Sequence, residues 1–260
     1  MPRRSSLVLL IAILPLLTLG GCDQGGDEVP RTSITLLVAY TTASREAVGD
    51  IERHIRRSVQ ETNQVYREGR IPIELVPVHL VEVTYTMGDR MQDLRRLLDP
   101  DDGHLDGLHL LRNQYEADLI ALVAENRTST FNAAVMATPE TAFVMVWWDG
   151  MGAPDYSLAH EIGHLQGARH AIQSDPLLEP FPYGHGFRND SLRTIMAGGA
   201  GELVPRFSGP DQRFDGVVLG DSSVADVARL LRESAVYLSN FRGPLTPTDF
   251  VPPSTWPTIP

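Results

Sequence analysis

The sequence predicts an α/β (α+β) protein, with a mixed twisted sheet, an active-site helix and a smaller loop-rich C-terminal subdomain ending in a helix. Three observations carry this. Strand, helix, strand, helix, strand signals alternate from Ser33 to Trp148, with connections short enough for a single sheet. A helix centred on His160 to His164 then carries a metal-ligand pattern. Beyond it Pro176, Pro180 and Pro182 break the chain into loops, until an amphipathic stretch closes near Phe241.

With 260 residues, 42% of them hydrophobic, the chain has room for one sizeable core divided by a cleft rather than for several domains. The net charge of −11 disfavours nucleic acid or an anionic membrane surface as a partner. Every basic side chain other than histidine is Arg, and no internal repeat is visible.

The N-terminus reads as a targeting segment. Arg3 and Arg4 precede an apolar run from Leu7 to Leu19 that is too short for a comfortable membrane span, as in a signal peptide over residues 1–21. Its end, Leu19-Gly20-Gly21-Cys22, resembles the bacterial lipobox, which implies lipidation of Cys22 and a membrane partner through that anchor. As the only cysteine, Cys22 also excludes an intramolecular disulfide. Residues 22–32 form a polar, Gly-rich tether, 33–242 the folded domain, and 243–260 a Pro-rich tail expected to be disordered.

Within the domain, Ser33 to Tyr40 is a continuous apolar run, as expected of a strand buried on both faces. Val48, Ile51, Ile55, Val59, Thr62 and Tyr66 recur every three or four residues, one long helix stopped by Gly69, with His54 on its solvated face. Ile71 to Tyr85 is β-branched but carries Pro72 and Pro77, so its strand should be irregular or edge-like. Asp89 caps a short helix bearing Met91, Leu94, Leu97 and Leu98, and Leu108, Leu111 and Tyr115 mark another. Asp118 to Glu125 and Ala142 to Trp148 are buried strands. Asp155 or Ser157 is placed to cap the helix that follows, and Ser222 to Asp226 reads as a capping box for the last one.

The chemistry sits in His160-Glu161-Ile162-Gly163-His164-Leu165-Gln166-Gly167-Ala168-Arg169-His170. Residues four apart share a helix face, so His160 and His164 aim at one point while Leu158, Ile162 and Leu165 pack on the other side. A continued helix would carry His170 about 9 Å along the axis from His164. Gly167 can end the helix in the left-handed conformation and let His170 swing back as a third nitrogen ligand. Three protein ligands leave zinc an open position, the mark of a catalytic site, and Glu161 stands beside them as a base for water.

This pattern, with Met196 downstream, resembles the metzincin zinc metalloproteases. Further runs, Tyr183-Gly184-His185-Gly186-Phe187, Arg193-Thr194-Ile195-Met196-Ala197, Arg206-Phe207-Ser208-Gly209-Pro210 and Glu61-Thr62-Asn63-Gln64, are similar to the bacterial reprolysin-like group, and within it to the peptidyl-Asp metalloendopeptidases. The resemblance implies one catalytic Zn2+ and Met196 as an apolar floor under the imidazoles. It also implies an edge strand between Thr130 and Trp148 that aligns a protein or peptide substrate. It implies cleavage N-terminal to Asp, for which Arg206 and then Arg193 are the substrate-binding candidates, since the chain has no Lys. One departure is Ala171, where these families usually have Asp. Two other readings stay open on sequence: an envelope-anchored zinc-containing binding protein or inactive relative, and hydrolysis of a non-peptide amide.

Overall fold

The computed structural model describes residues 30–125, 133–134 and 137–243. The leader, Cys22, most of the tether and almost all of the C-terminal tail lie outside the described residues. In chain order the elements are β1 (Thr32–Thr41), α1 (Thr42–Val48), α2 (Ile51–Glu68), β2 (Ile73–Val83), α3 (Arg90–Leu98), α4 (Gly107–Gln114), β3 (Leu119–Ala124), β4 (Ala133–Ala134) and β5 (Phe143–Trp147). Then come α5 (Ser157–Leu165), β6 (Leu192–Arg193), β7 (Glu202–Leu203), β8 (Gly209–Phe214), β9 (Val217–Leu219) and α6 (Val227–Leu238).

The first five strands form one sheet in the order β2-β1-β3-β5-β4, parallel except for β4, which runs antiparallel to β5 at the edge. β1 shows why its sequence is apolar throughout. Ile34, Leu36 and Val38 point into a core shared with α2, α5 and α6, while Leu37 and Ala39 point into a second core against α3 and α4. Pro77 lies at a register shift between β1 and β2, the irregularity its missing N–H requires.

Several boundaries differ from expectation for local reasons. Gly49, at φ +81°, and Asp50, whose side chain accepts from the Arg53 N–H, divide the expected long helix into α1 and α2. His54 is not on a solvated face: its ring bonds the Trp148 carbonyl at 2.6 Å and ties α2 to the connector before α5. Glu61 holds the same connector through the Ala153 N–H at 2.9 Å. A side chain at Gly152 would run into Glu61 and Ser58. Neither Asp155 nor Ser157 caps α5; Tyr156 precedes it in the left-handed conformation with no side-chain cap. Asp226, not the serines before it, caps α6 by accepting from the Arg229 N–H. Met91 is 38% exposed rather than packed. Among the described residues, no helix is long and apolar enough to cross a membrane.

Candidate metal centre and active site

Helix α5 packs on β5, β4 and α2, burying Leu158, Ile162 and Leu165, with His160 and His164 on the opposite face. It stops where the sequence implied. Gly167 takes φ +96°, and the Gly167 and Ala168 N–H groups donate back to the His164 and Gly163 carbonyls at 2.9 Å. The chain then returns. The Nε2 atoms of His160, His164 and His170 converge, 3.0 Å apart for His160 and His164 and 3.2 Å for each of the other two pairs.

Two of these rings are oriented by backbone. His160 Nδ1 donates to the Ile195 carbonyl and His164 Nδ1 to the Ala168 carbonyl, both at 2.8 Å. A carbonyl can only accept, so in each ring the proton sits on Nδ1 and the Nε2 lone pair faces the common point. Three converging lone pairs repel unless a cation lies between them. Tetrahedral zinc with N ligands at about 2.0–2.1 Å would set its nitrogens about 3.3 Å apart, close to the spacing here. Zinc therefore fits this donor set. Burial, and then the charge of His170, hold His160 down to about 4. Burial also holds His164 well below and His170 below the ordinary imidazole value, so all three are unprotonated and ready to ligate at neutral pH.

Glu161, next along the helix, is 5% exposed, and no hydrogen bond from a described residue engages it. Burial pushes its carboxyl up to about 8, against a smaller downward pull from Arg90 at the start of α3. Met196 is fully buried and lies against α5, where a Cβ at Gly163 would stand 2.6 Å from its sulfur. That contact explains the glycine between the two helical histidines. Gly186 is confined in the same way from the other side, with a Cβ there 2.6 Å from the Met196 carbonyl carbon.

Behind the third ligand lies a buried polar group not apparent from the sequence. Arg169 is fully buried and pairs with Asp175, 4% exposed, at 2.7 Å. His185, also fully buried, donates through Nδ1 to the His170 carbonyl at 2.9 Å. It supports the third ligand from behind and is not a fourth ligand. Asp175 thus brings a carboxylate to the region that Ala171 leaves without one. Tyr183 points away, its hydroxyl on Glu233 at 2.6 Å and its ring under Arg229.

The two arginine candidates separate. Arg206 is ion-paired with Glu68 at the end of α2 and also donates to the Pro205 carbonyl, a link between elements 138 positions apart. Its guanidinium is thus engaged within the fold. Arg193 donates to the carbonyls of Ala197 at 3.1 Å and Gly201 at 3.2 Å, directly after Met196, and its charge is among those that depress His160. The expected edge strand is β4, within the range Thr130 to Trp148; most of the segment before it lies outside the described residues.

The chain is similar to known proteins. The family model Reprolysin_5, described as Metallo-peptidase family M12, matches residues 31–208. A peptidyl-Asp metalloendopeptidase from Xanthomonas campestris pv. campestris is 36% identical over 225 residues, covering 84% of this chain and 54% of the relative. One from Stenotrophomonas maltophilia is 35% identical over 244 residues, 88% of this chain and 58% of the relative. A third, from Pseudomonas fragi, is 32% identical over 161 residues, 60% of this chain and 86% of the relative. The chain spans little more than half the length of the first two. A solved structure described as "Structure of a chaperone-substrate complex" superposes with a TM-score of 0.68 at 17% identity, over 82% of this chain and 35% of that one, a likeness of fold alone. With three histidines converging from a helix that ends on Gly167, a buried methionine beneath, and a family match across both, the chain belongs to metallo-peptidase family M12.

Proposed function

We propose that the chain is a zinc endopeptidase that cuts on the N-terminal side of aspartate and is exported and lipid-anchored through Cys22. The observation that carries the catalytic part is the convergence of three Nε2 atoms beside a buried carboxylate that no described residue hydrogen-bonds. Zinc held by His160, His164 and His170 would supply Lewis acidity toward a substrate carbonyl and toward water. Glu161 takes the proton from that water and delivers it to the departing amine. Burial raises Glu161 in the metal-free protein, and a bound dication would oppose that shift, leaving the carboxylate charged and able to accept a proton. β4, the last strand of the sheet, antiparallel to β5 and next to α5, offers backbone groups on which an extended peptide can align.

The names of the relatives and the motif resemblance support cleavage before Asp. Purified protein should hold one zinc per chain and hydrolyse unfolded protein, with activity lost on chelation and restored by zinc. Stoichiometric zinc with no cleavage of any peptide would turn the reading toward a binding protein. For the anchor, support comes from Arg3, Arg4, the apolar run Leu7 to Leu19 and the single cysteine at its end. The protein should then fractionate with membranes in a bacterium that processes lipoproteins, and Cys22→Ala should not. An unmodified Cys22 in the mature protein, read by mass spectrometry, rejects the anchor.

A further inference from the structure

We infer that Arg188 and Arg193 together form an anion subsite beside the metal centre, which takes the side-chain carboxylate of the peptide residue following the scissile bond. The inference rests on the endopeptidase reading and names the residues that would give it acidic specificity.

The two arginines are brought together by backbone. Arg188 and Arg193 face each other across an antiparallel bridge. Asn189 closes the turn between them, its N–H donating to the Leu192 carbonyl at 2.9 Å and its side-chain oxygen accepting from the Leu192 N–H at 2.7 Å. Both guanidinium groups then reach the same five-residue loop, Ala197 to Gly201, which directly follows Met196. Arg188 Nη1 donates to the Gly198 carbonyl at 2.8 Å, and Arg193 donates to those of Ala197 and Gly201. A Cβ at Gly199, at φ +94°, would meet Arg188 Nη1, and one at Gly201, at φ +103°, would stand 3.0 Å from the Leu192 carbonyl carbon.

Those acceptors are neutral, so they orient the two cations without cancelling their charge. Among the described residues no carboxylate lies within 4.0 Å of either guanidinium, although Asp190 and Glu202 are in the same region and the chain as a whole carries −11. Arg169, Arg206 and Arg229, by contrast, each have an acidic partner. Both arginines are half-buried, and neither has a nitrogen that is buried without a partner, so their remaining N–H groups stay open to a ligand. The pair adjoins the reacting centre. Ile195, whose carbonyl orients His160, lies two residues from both Arg193 and Ala197. Two half-buried guanidinium groups held by neutral carbonyls next to a metal ligand suit a carboxylate, which two N–H groups can grip in parallel.

The test compares kcat/KM for three peptides that differ only in Asp, Asn or Ala after the scissile bond, using zinc-loaded full-length protein and the variants Arg188→Gln, Arg193→Gln, the double variant and Arg193→Lys. Wild type should prefer Asp over Asn. Each Gln variant should lose on the order of 10–100-fold more on the Asp peptide than on the Asn and Ala peptides. The double variant should treat Asp and Asn alike, and Arg193→Lys should regain part of the preference. Cleavage of the Ala peptide by wild type supports the endopeptidase reading by itself. With that intact, an Asp-to-Asn ratio that is flat in wild type or unchanged in the variants overturns the arginine assignment alone. So does an equal loss on all three peptides, which marks the arginines as braces of the loop. No cleavage of any peptide overturns both readings.

Discussion

Glu161→Gln is expected to keep its zinc and lose roughly 10²–10⁴-fold in kcat/KM, the contribution of a positioned general base. Gln has the same shape as Glu and fills the same buried position, so α5 and the three histidines stay where they are. What disappears is the group that accepts and returns the proton. The variant also carries a calorimetric signature. In metal-free protein at pH 7, Glu161 is largely protonated, because burial raises it to about 8. An arriving dication favours the charged carboxylate and displaces that proton, while the histidines, already neutral, release none. Zinc titrated at pH 7 into buffers of different ionisation enthalpy should release about one proton more per ion from wild type than from Glu161→Gln. That difference should fall toward none at pH 9, where Glu161 is already ionised and any proton lost from metal-bound water is common to both proteins. Undiminished cleavage by the variant removes Glu161 as the base, and loss of zinc in it shows that the carboxylate is structural.

The site was legible in the sequence to the extent that it is local. His160 and His164 are set by helix periodicity, and Gly167 by the need to stop the helix before His170, so spacing alone brings three ligands together. The buried strands were legible for a similar reason, since β1 and β3 lie between two cores and tolerate no polar face. What was not legible depends on contacts between distant positions. The partner of Arg206 is Glu68, 138 residues away, and no local pattern could show that its charge was already committed. Arg188 carries no local signal, because its placement comes from a bridge to Arg193 and from the loop around Gly198. Gly163 is fixed by the Met196 sulfur packed against it, a contact that no local pattern carries. The capping error before α6 has a different origin: Ser223 N–H and hydroxyl both bond Asp221, so the apparent capping box is spent on a turn and Asp226 is left to cap the helix.

Breaking the pair behind the third ligand is expected to have the largest effect on stability. Arg169 and Asp175 are both buried, and their bond at 2.7 Å joins the residue before His170 to one five positions after it, closing a loop around the ligand. The pair is sparsely supported. Arg169 Nε and Nη1, Asp175 Oδ2 and His185 Nε2 are all buried without a hydrogen-bond partner among the described residues. Asp175→Leu therefore leaves a buried guanidinium with no compensating charge, at a cost of about 3–5 kcal/mol. For a domain of this size that corresponds to a fall in Tm of roughly 6–20 °C. Replacing both partners, Arg169→Met with Asp175→Leu, removes the stranded charge and should recover most of that loss, because a buried pair stabilises little relative to apolar groups of similar volume. Zinc binding should separate the two effects. If the pair also orients the His170 loop, the double variant will be as stable as wild type yet release zinc about 10–100-fold more readily, the usual cost of losing outer support around a ligand. Thermal melts of the metal-free proteins and competition with a zinc chelator measure the two quantities independently. A single variant that melts like wild type contradicts the buried ion pair, and a double variant with unchanged zinc affinity confines the pair to a structural role.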